Sequence, residues 1–114
     1  MDTIKANQYI SYNQKLISKN KKYEAIFQTD GNFCIYPYGS QRTHEHCKWS
    51  TNTYNKNAKY LKMQDDGNLV IYNKNNNPIW SSDTYYDVLY PQTSRLIMQD
   101  DGNLVIYTNN GPLW

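Results

Sequence analysis

Apolar and polar residues alternate with period two along three stretches of this 114-residue chain, and each stretch is broken once by an Asp-Gly turn. In the middle stretch Leu61 and Met63 precede the turn and Leu69 and Ile71 follow it, with polar residues between them for the most part. That pattern predicts a β-hairpin with one greasy face. A three-residue loop of Asp65, Asp66 and Gly67 places the glycine in the left-handed conformation that it adopts at least cost. The register then follows: Gln64 opposite Asn68, Lys62 opposite Val70 and Tyr60 opposite Tyr72 on one face, Met63 opposite Leu69 and Leu61 opposite Ile71 on the other. A two-residue loop would set Gln64 beside Leu69 and mix both faces, so the longer loop is favoured. The same rule pairs Phe27 with Phe33 and Met98 with Leu104 inward, and Gln28 with Asn32 and Gln99 with Asn103 outward. Helical periodicity is hard to place anywhere.

The alternation is also a repeat. "QDDGNLVIY" runs from Gln64 to Tyr72 and again from Gln99 to Tyr107, and "QTDGNFCIY" from Gln28 to Tyr36 is a looser copy, with starts 36 and 35 residues apart. A turn-rich stretch and a tryptophan follow each copy, at Trp49, Trp80 and Trp114, and these predict third strands. Three small sheets with one apolar face apiece can bury those faces only against each other. The expectation is therefore a single all-β domain over 1–114, a three-sided prism of short antiparallel sheets with pseudo-threefold symmetry, its repeats at about 23–52, 59–84 and 94–114. Copy two continues past Trp80 through "SSDT", whereas copy three stops at Trp114. The N-terminal segment, in particular "NQYISYNQKL", is the strand-like stretch left to complete the third sheet, within the chain or across a twofold homodimer.

Composition changes this picture little. The apolar share is 39 %, and twelve tyrosines and three tryptophans supply much of the buriable surface. The formal charge is +2, with five lysines and one acid among residues 1–22. That basic arm reads as a solvated loop, because no arginine-rich face accompanies it, and nucleic acid is not an expected partner. No apolar run has the length of a signal core or a transmembrane segment. The expectation is a cytoplasmic protein or one exported without a leader.

Folding alone does not require the outward face to be written the same way three times. Gln28, Asp30, Asn32, Cys34 and Tyr36 correspond to Gln64, Asp66, Asn68, Val70 and Tyr72, and to Gln99, Asp101, Asn103, Val105 and Tyr107. Each row offers a carboxylate acceptor, two amides that donate and accept, a phenol, and one small apolar spot. Such a row suits a sugar, whose vicinal hydroxyls need paired donors and acceptors and whose ring C–H groups want an apolar contact. Gln-x-Asp-x-Asn-x-Val-x-Tyr, three times at this spacing, resembles the monocot mannose-binding lectins, also called bulb-type or snowdrop-type lectins (the B-lectin domain), over roughly the whole chain. The resemblance implies the β-prism II fold and metal-independent, non-catalytic binding of mannose or mannose-rich glycans, with no cofactor. It implies that Asp66 and Asn68 hold the 2-hydroxyl, Gln64 the 3-hydroxyl, Tyr72 the 4-hydroxyl and Val70 the ring carbons. Asp101, Asn103, Gln99, Tyr107 and Val105 would repeat those roles.

Copy one departs at Cys34. Plant members of the family commonly bridge a cysteine at a turn glycine, but here that position is Gly31. A Cys34–Cys47 bridge is compatible with their separation alone, yet period two sends Cys34 outward with Asn32 and Tyr36, and Cys47 inward if Trp49 is inward. Two free thiols are expected, with Cys34 open to bulky reagents and the first site the weakest of the three. An enzyme is not expected, because the acid pairs Asp65–Asp66 and Asp100–Asp101 are adjacent turn residues, and glycoside hydrolysis needs carboxyls on opposite sides of one bond. "THEHC" from Thr43 to Cys47 is one short cluster, unlike the two separated ligand pairs of a structural zinc site. The remaining alternatives are a β-prism interaction module with idle sugar sites and a lectin-like toxin or bacteriocin.

Overall fold

The computed structural model describes residues 1–85, 94–109 and 111–114. The three hairpins form as the alternation requires: β4 (Tyr23–Phe27) with β5 (Phe33–Pro37), β7 (Ala58–Met63) with β8 (Leu69–Asn73), and β10 (Arg95–Met98) with β11 (Leu104–Thr108). Their registers pair Phe27 with Phe33, Met63 with Leu69, Met98 with Leu104 and Tyr60 with Tyr72. The turn glycines Gly31, Gly67 and Gly102 all have φ of 89°. At Gly31 the requirement is double, since a Cβ there would also lie 2.9 Å from the Ala58 side chain.

Third strands follow at β6 (Trp49–Ser50), β9 (Pro78–Ser81) and β12 (Gly111–Pro112). Trp114 lies just beyond β12, where its carbonyl accepts a hydrogen bond from the Ile106 amide at 3.2 Å. The inward residues then superpose in threes around a common axis: Phe27, Met63 and Met98; Phe33, Leu69 and Leu104; Ile35, Ile71 and Ile106. All belong to one core cluster. Trp49, Trp80 and Trp114 pack against it as a triangle, edge to face, with centroids 5.3 to 6.1 Å apart. Volume is balanced within the first sheet, where two phenylalanines are accompanied by Ala25 at the position held by Leu61 and Leu96 in the others.

Each sheet has a fourth strand, and the N-terminal segment supplies all three. The strands β1 (Thr3–Lys5), β2 (Tyr9–Ile10) and β3 (Lys15–Ile17) give the sheet orders β1-β10-β11-β12, β2-β7-β8-β9 and β3-β4-β5-β6. The strand beside β10 is therefore Thr3–Lys5, upstream of the "NQYISYNQKL" stretch, which runs on to the other two sheets. The segment advances one sheet every six residues: Ile4, Ile10 and Leu16 point inward opposite Leu96, Leu61 and Ala25. An Asn-Gln pair turns each of the two corners. Asn7 and Asn13 both have φ of 68°, and the Gln8 and Gln14 side chains accept the Lys5 and Ser11 amides at 2.8 and 2.7 Å. The circuit closes where the Ile17 amide donates to the Met1 carbonyl at 2.8 Å.

Candidate functional site

The outward residues of each hairpin converge because period two puts them on one face and the turn brings its two ends together. The second asparagine-glycine-acid corner illustrates how the row is held. Asp66 Oδ1 accepts the Asn68 amide at 3.0 Å, and Asp30 and Asp101 accept the Asn32 and Asn103 amides at 2.9 Å. Across the strands, the Gln28 side-chain amide donates to the Tyr36 hydroxyl at 2.7 Å and Gln99 to Tyr107 at 2.6 Å. Gln64 is likewise bonded to Tyr72. In the orientation that satisfies both neighbours, its oxygen accepts the phenol proton and its nitrogen donates to the Asp66 carboxylate at 3.1 and 3.2 Å. Glutamine, acid and tyrosine are thus fixed before any ligand arrives, so their remaining donors and acceptors have set directions.

The asparagines are held from behind by residues that the motif did not single out. Asn32 Oδ1 accepts Thr51 Oγ1 at 3.3 Å and the Thr53 amide at 3.1 Å, while Thr53 Oγ1 donates to the Gly31 carbonyl at 2.6 Å. Ser82 and Thr84 do the same for Asn68, at 3.2 and 3.3 Å, with Thr84 Oγ1 donating to the Gly67 carbonyl at 2.6 Å. The signal for this clamp was present in the repeated "WSTNT" and "WSSDT". In copy three, Asn103 is exposed and its side-chain nitrogen donates to Asp101 at 3.3 Å.

Site one is built differently. Its register is as expected, with Cys34 opposite Ile26 on the outward face, but Cys34 is buried, 1 % exposed, and so is Tyr36. The expectation of an open thiol is thereby corrected: the equivalent Val70 is also buried, at 3 %, so this position is closed in part by its own sheet, and in site one the twelve-residue connection from Pro37 to Lys48 folds back over the face as well. Arg42 anchors it: its guanidinium grips Glu24, itself 1 % exposed, through Nε at 2.5 Å and Nη2 at 3.2 Å, and Lys15 stands 4.0 Å away. Cys47 packs against Ile26, Cys34 and Tyr36, also on the outward side. Strand pairing begins only at Trp49, after a 3-10 turn at His44–His46, so the period-two inference for Cys47 does not reach it. Both thiols are free. The Cys34 thiol donates to Gln28 Oε1 at 3.3 Å, so both ends of that glutamine amide are already engaged. A cleft of about 710 Å³ on this face is lined by the five motif residues of copy one together with Arg42, His44 and Lys48 of the connection and Asn13, Asn52 and Tyr54 from outside it, among others. Among the described residues no group of three or more His, Cys, Asp or Glu is placed to hold a metal.

Burial pushes the Cys34 thiol up from 9.0 to about 12 and the Tyr36 phenol from 10.0 to about 12. Both are acids that are neutral when protonated, so the unfolded chain releases these protons first as pH rises. The stability they support is complete below about pH 9 and is lost progressively toward pH 12. Urea midpoints should accordingly fall over that interval, less steeply in Cys34→Val. A flat profile would contradict the burial. Because the thiolate is the reactive form, Cys34 should also resist maleimide at neutral pH in the folded protein.

No family model matches the chain. It is 35 % identical over 78 residues to the B-type lectin plumieribetin of Scorpaena plumieri, covering 68 % of this chain and 63 % of that protein. It is 35 % identical over 85 residues to a mannose-specific lectin of Aloe arborescens, covering 73 % and 64 %. The chain thus spans just under two thirds of the length of these curated relatives. Among solved structures it is similar to the mannose-specific agglutinin from snowdrop (Galanthus nivalis) bulbs complexed with methyl-α-D-mannoside, with a TM-score of 0.79 and 31 % identity over 96 % of this chain and 91 % of that one.

Proposed function

Because the chain belongs to the bulb-type (B-lectin) family, with the β-prism II fold of the snowdrop agglutinin, we propose that it binds mannose-containing glycans non-catalytically and without metal through its three outward rows. The observation that carries this reading is the repetition of one pairing, Gln with Tyr and the Asn amide donating to Asp, on three separate faces. In sites two and three the asparagine, acid, glutamine and phenol take the hydroxyl roles given above; half-buried Val105 supplies the apolar contact for the sugar ring in the third, whereas Val70 is 3 % exposed and offers the ring little surface.

A monosaccharide on such a water-facing row buries few atoms, so each site should bind near the millimolar range, about −4 kcal/mol. Useful strength would come from several sites engaging one branched glycan. Calorimetry with mannose and a mannose-rich oligosaccharide in EDTA tests this, and heat from neither sugar would leave the idle-module reading in its place. Gln64→Ala should weaken the second site at least tenfold, about 1.4 kcal/mol, by removing a fixed partner of the phenol as well as a sugar contact.

Site one should be the weakest, because Gln28 shares its carbonyl with Cys34 and the connection from Pro37 to Lys48 covers Cys34 and Tyr36. Cys34→Val should bring its affinity toward that of the other two. The finer expectation of a homodimer rests on β12, a two-residue strand at the edge of its sheet, where a second copy can add backbone pairing. Light scattering that reports a monomer at high concentration would reject it.

A further inference from the structure

The three rows are alike, but the outward positions one step further from the turn are not. Opposite the motif tyrosines Tyr36, Tyr72 and Tyr107 stand Glu24, Tyr60 and Arg95. Glu24 is buried under Arg42, and the Arg95 guanidinium lies over the Tyr107 ring at 5.7 Å. In the second sheet the neighbour is aromatic: Tyr60 stacks on Tyr72 with centroids 5.3 Å apart and planes 28° apart. Tyr9, on the adjoining β2, continues the line at 5.5 Å from Tyr60. By register the counterparts of Tyr9 are Lys15 in the first sheet and Thr3 in the third. Among the described residues, the second sheet alone therefore carries three tyrosine rings in a row across β2, β7 and β8.

Cross-strand stacking accounts for Tyr60 against Tyr72 as sheet stabilisation. It does not account for Tyr9, which is 63 % exposed and leaves much of a large ring facing water. A pyranose presents a face of C–H groups that gains from covering such a ring, while its hydroxyls stay solvated at the rim. The place of this surface matters as much as its chemistry. Tyr72 is both the last member of the motif and the first ring of the line, so the line of rings begins where the motif ends.

We propose that Tyr60 and Tyr9 form an extension subsite of the second site, a platform for a second neutral pyranose linked to the mannose bound at Gln64–Tyr72. This rests on the mannose reading above and deepens it. The charged groups at the corresponding places of sites one and three give no such platform, so lengthening the glycan favours the second site over the third.

The test uses the whole protein and backbone amide spectra, in which the three sites report separately, titrated with methyl α-mannoside and with an α-linked dimannoside. At the second site the dimannoside should bind about three- to tenfold more tightly than the monosaccharide, with a smaller ratio at the third. Tyr9→Ala should reduce the second-site ratio to that of the third. Magnetisation transfer from the second sugar's ring protons to Tyr9 or Tyr60 aromatic protons is expected in the unmodified protein, which covers the case in which the variant does not fold. Equal ratios at the two sites, or a ratio unmoved by Tyr9→Ala, would overturn the subsite and leave the mannose reading standing. An absence of shifts with both sugars would overturn the two together.

Discussion

Phe33→Ala should lower folding stability by about 3–5 kcal/mol, the cost of emptying a large side chain from a core that cannot collapse around it. Phe33 is fully buried opposite Phe27, and its neighbours in the shared core are held by its own sheet and the two other sheets of the prism. A domain of this size has a total stability of about 5–15 kcal/mol, so much of the margin disappears. Phe33→Leu should cost less than the alanine, because Leu69 and Leu104 fill the equivalent places, but not nothing, because Ala25 leaves this sheet without the leucine that accompanies them at Leu61 and Leu96. Urea unfolding checks the pair of variants, and an unchanged midpoint for the alanine would contradict the packing. The turn from Gln28 to Asn32 ends beside Phe33, whose amide donates to Thr51 Oγ1 at 3.2 Å, so site one should weaken along with the core.

Arg42→Ala should act on the same side of the molecule by a different route. Among the described residues it leaves the buried Glu24 carboxylate with only Lys15, 4.0 Å away. Breaking such a pair costs about 3–5 kcal/mol when both partners are buried. Here Arg42 is 40 % exposed and water can enter in its place, so about 3 kcal/mol or less is expected. Removing both charges in Arg42→Ala with Glu24→Leu should recover most of the loss, since no uncompensated carboxylate then remains. A second readout separates anchoring from stability: with the connection released, Cys34 should label with maleimide under conditions where the folded parent does not. Normal midpoints together with an inert thiol would show that the connection is held by something else.

These two sites of failure mark the boundary between what local pattern encodes and what closure adds. The hairpin registers, the Gly31, Gly67 and Gly102 turns, the inward layers and the five positions of each outward row were legible in the sequence. Period two and the three-residue turn together leave one register that separates polar from apolar faces. Each of those facts concerns residues within about ten positions of one another. The N-terminal circuit was not legible in the same way, because strands of two or three residues are too short to show an alternation. Their one trace is Ile4, Ile10 and Leu16 spaced by six. The Ser/Thr clamps on Asn32 and Asn68 were spelled out in "WSTNT" and "WSSDT", but their purpose depends on where the third strand ends in space.

Cys34 shows the limit most directly. Its outward direction follows from the sequence, and its burial does not, because exposure depends on whatever covers a face as well as on the face itself. The cover is a connection whose hold is Arg42 on Glu24, eighteen residues apart in sequence. The line of Tyr9, Tyr60 and Tyr72 likewise joins three strands, and strand β2 reaches it only after the chain has turned its first corner. The sequence by itself determined which residues face together on each hairpin, since that is a matter of local geometry. Only the tertiary structure decided which of those faces are open, covered or extended, since that depends on contacts the prism creates when its three sheets close on one another.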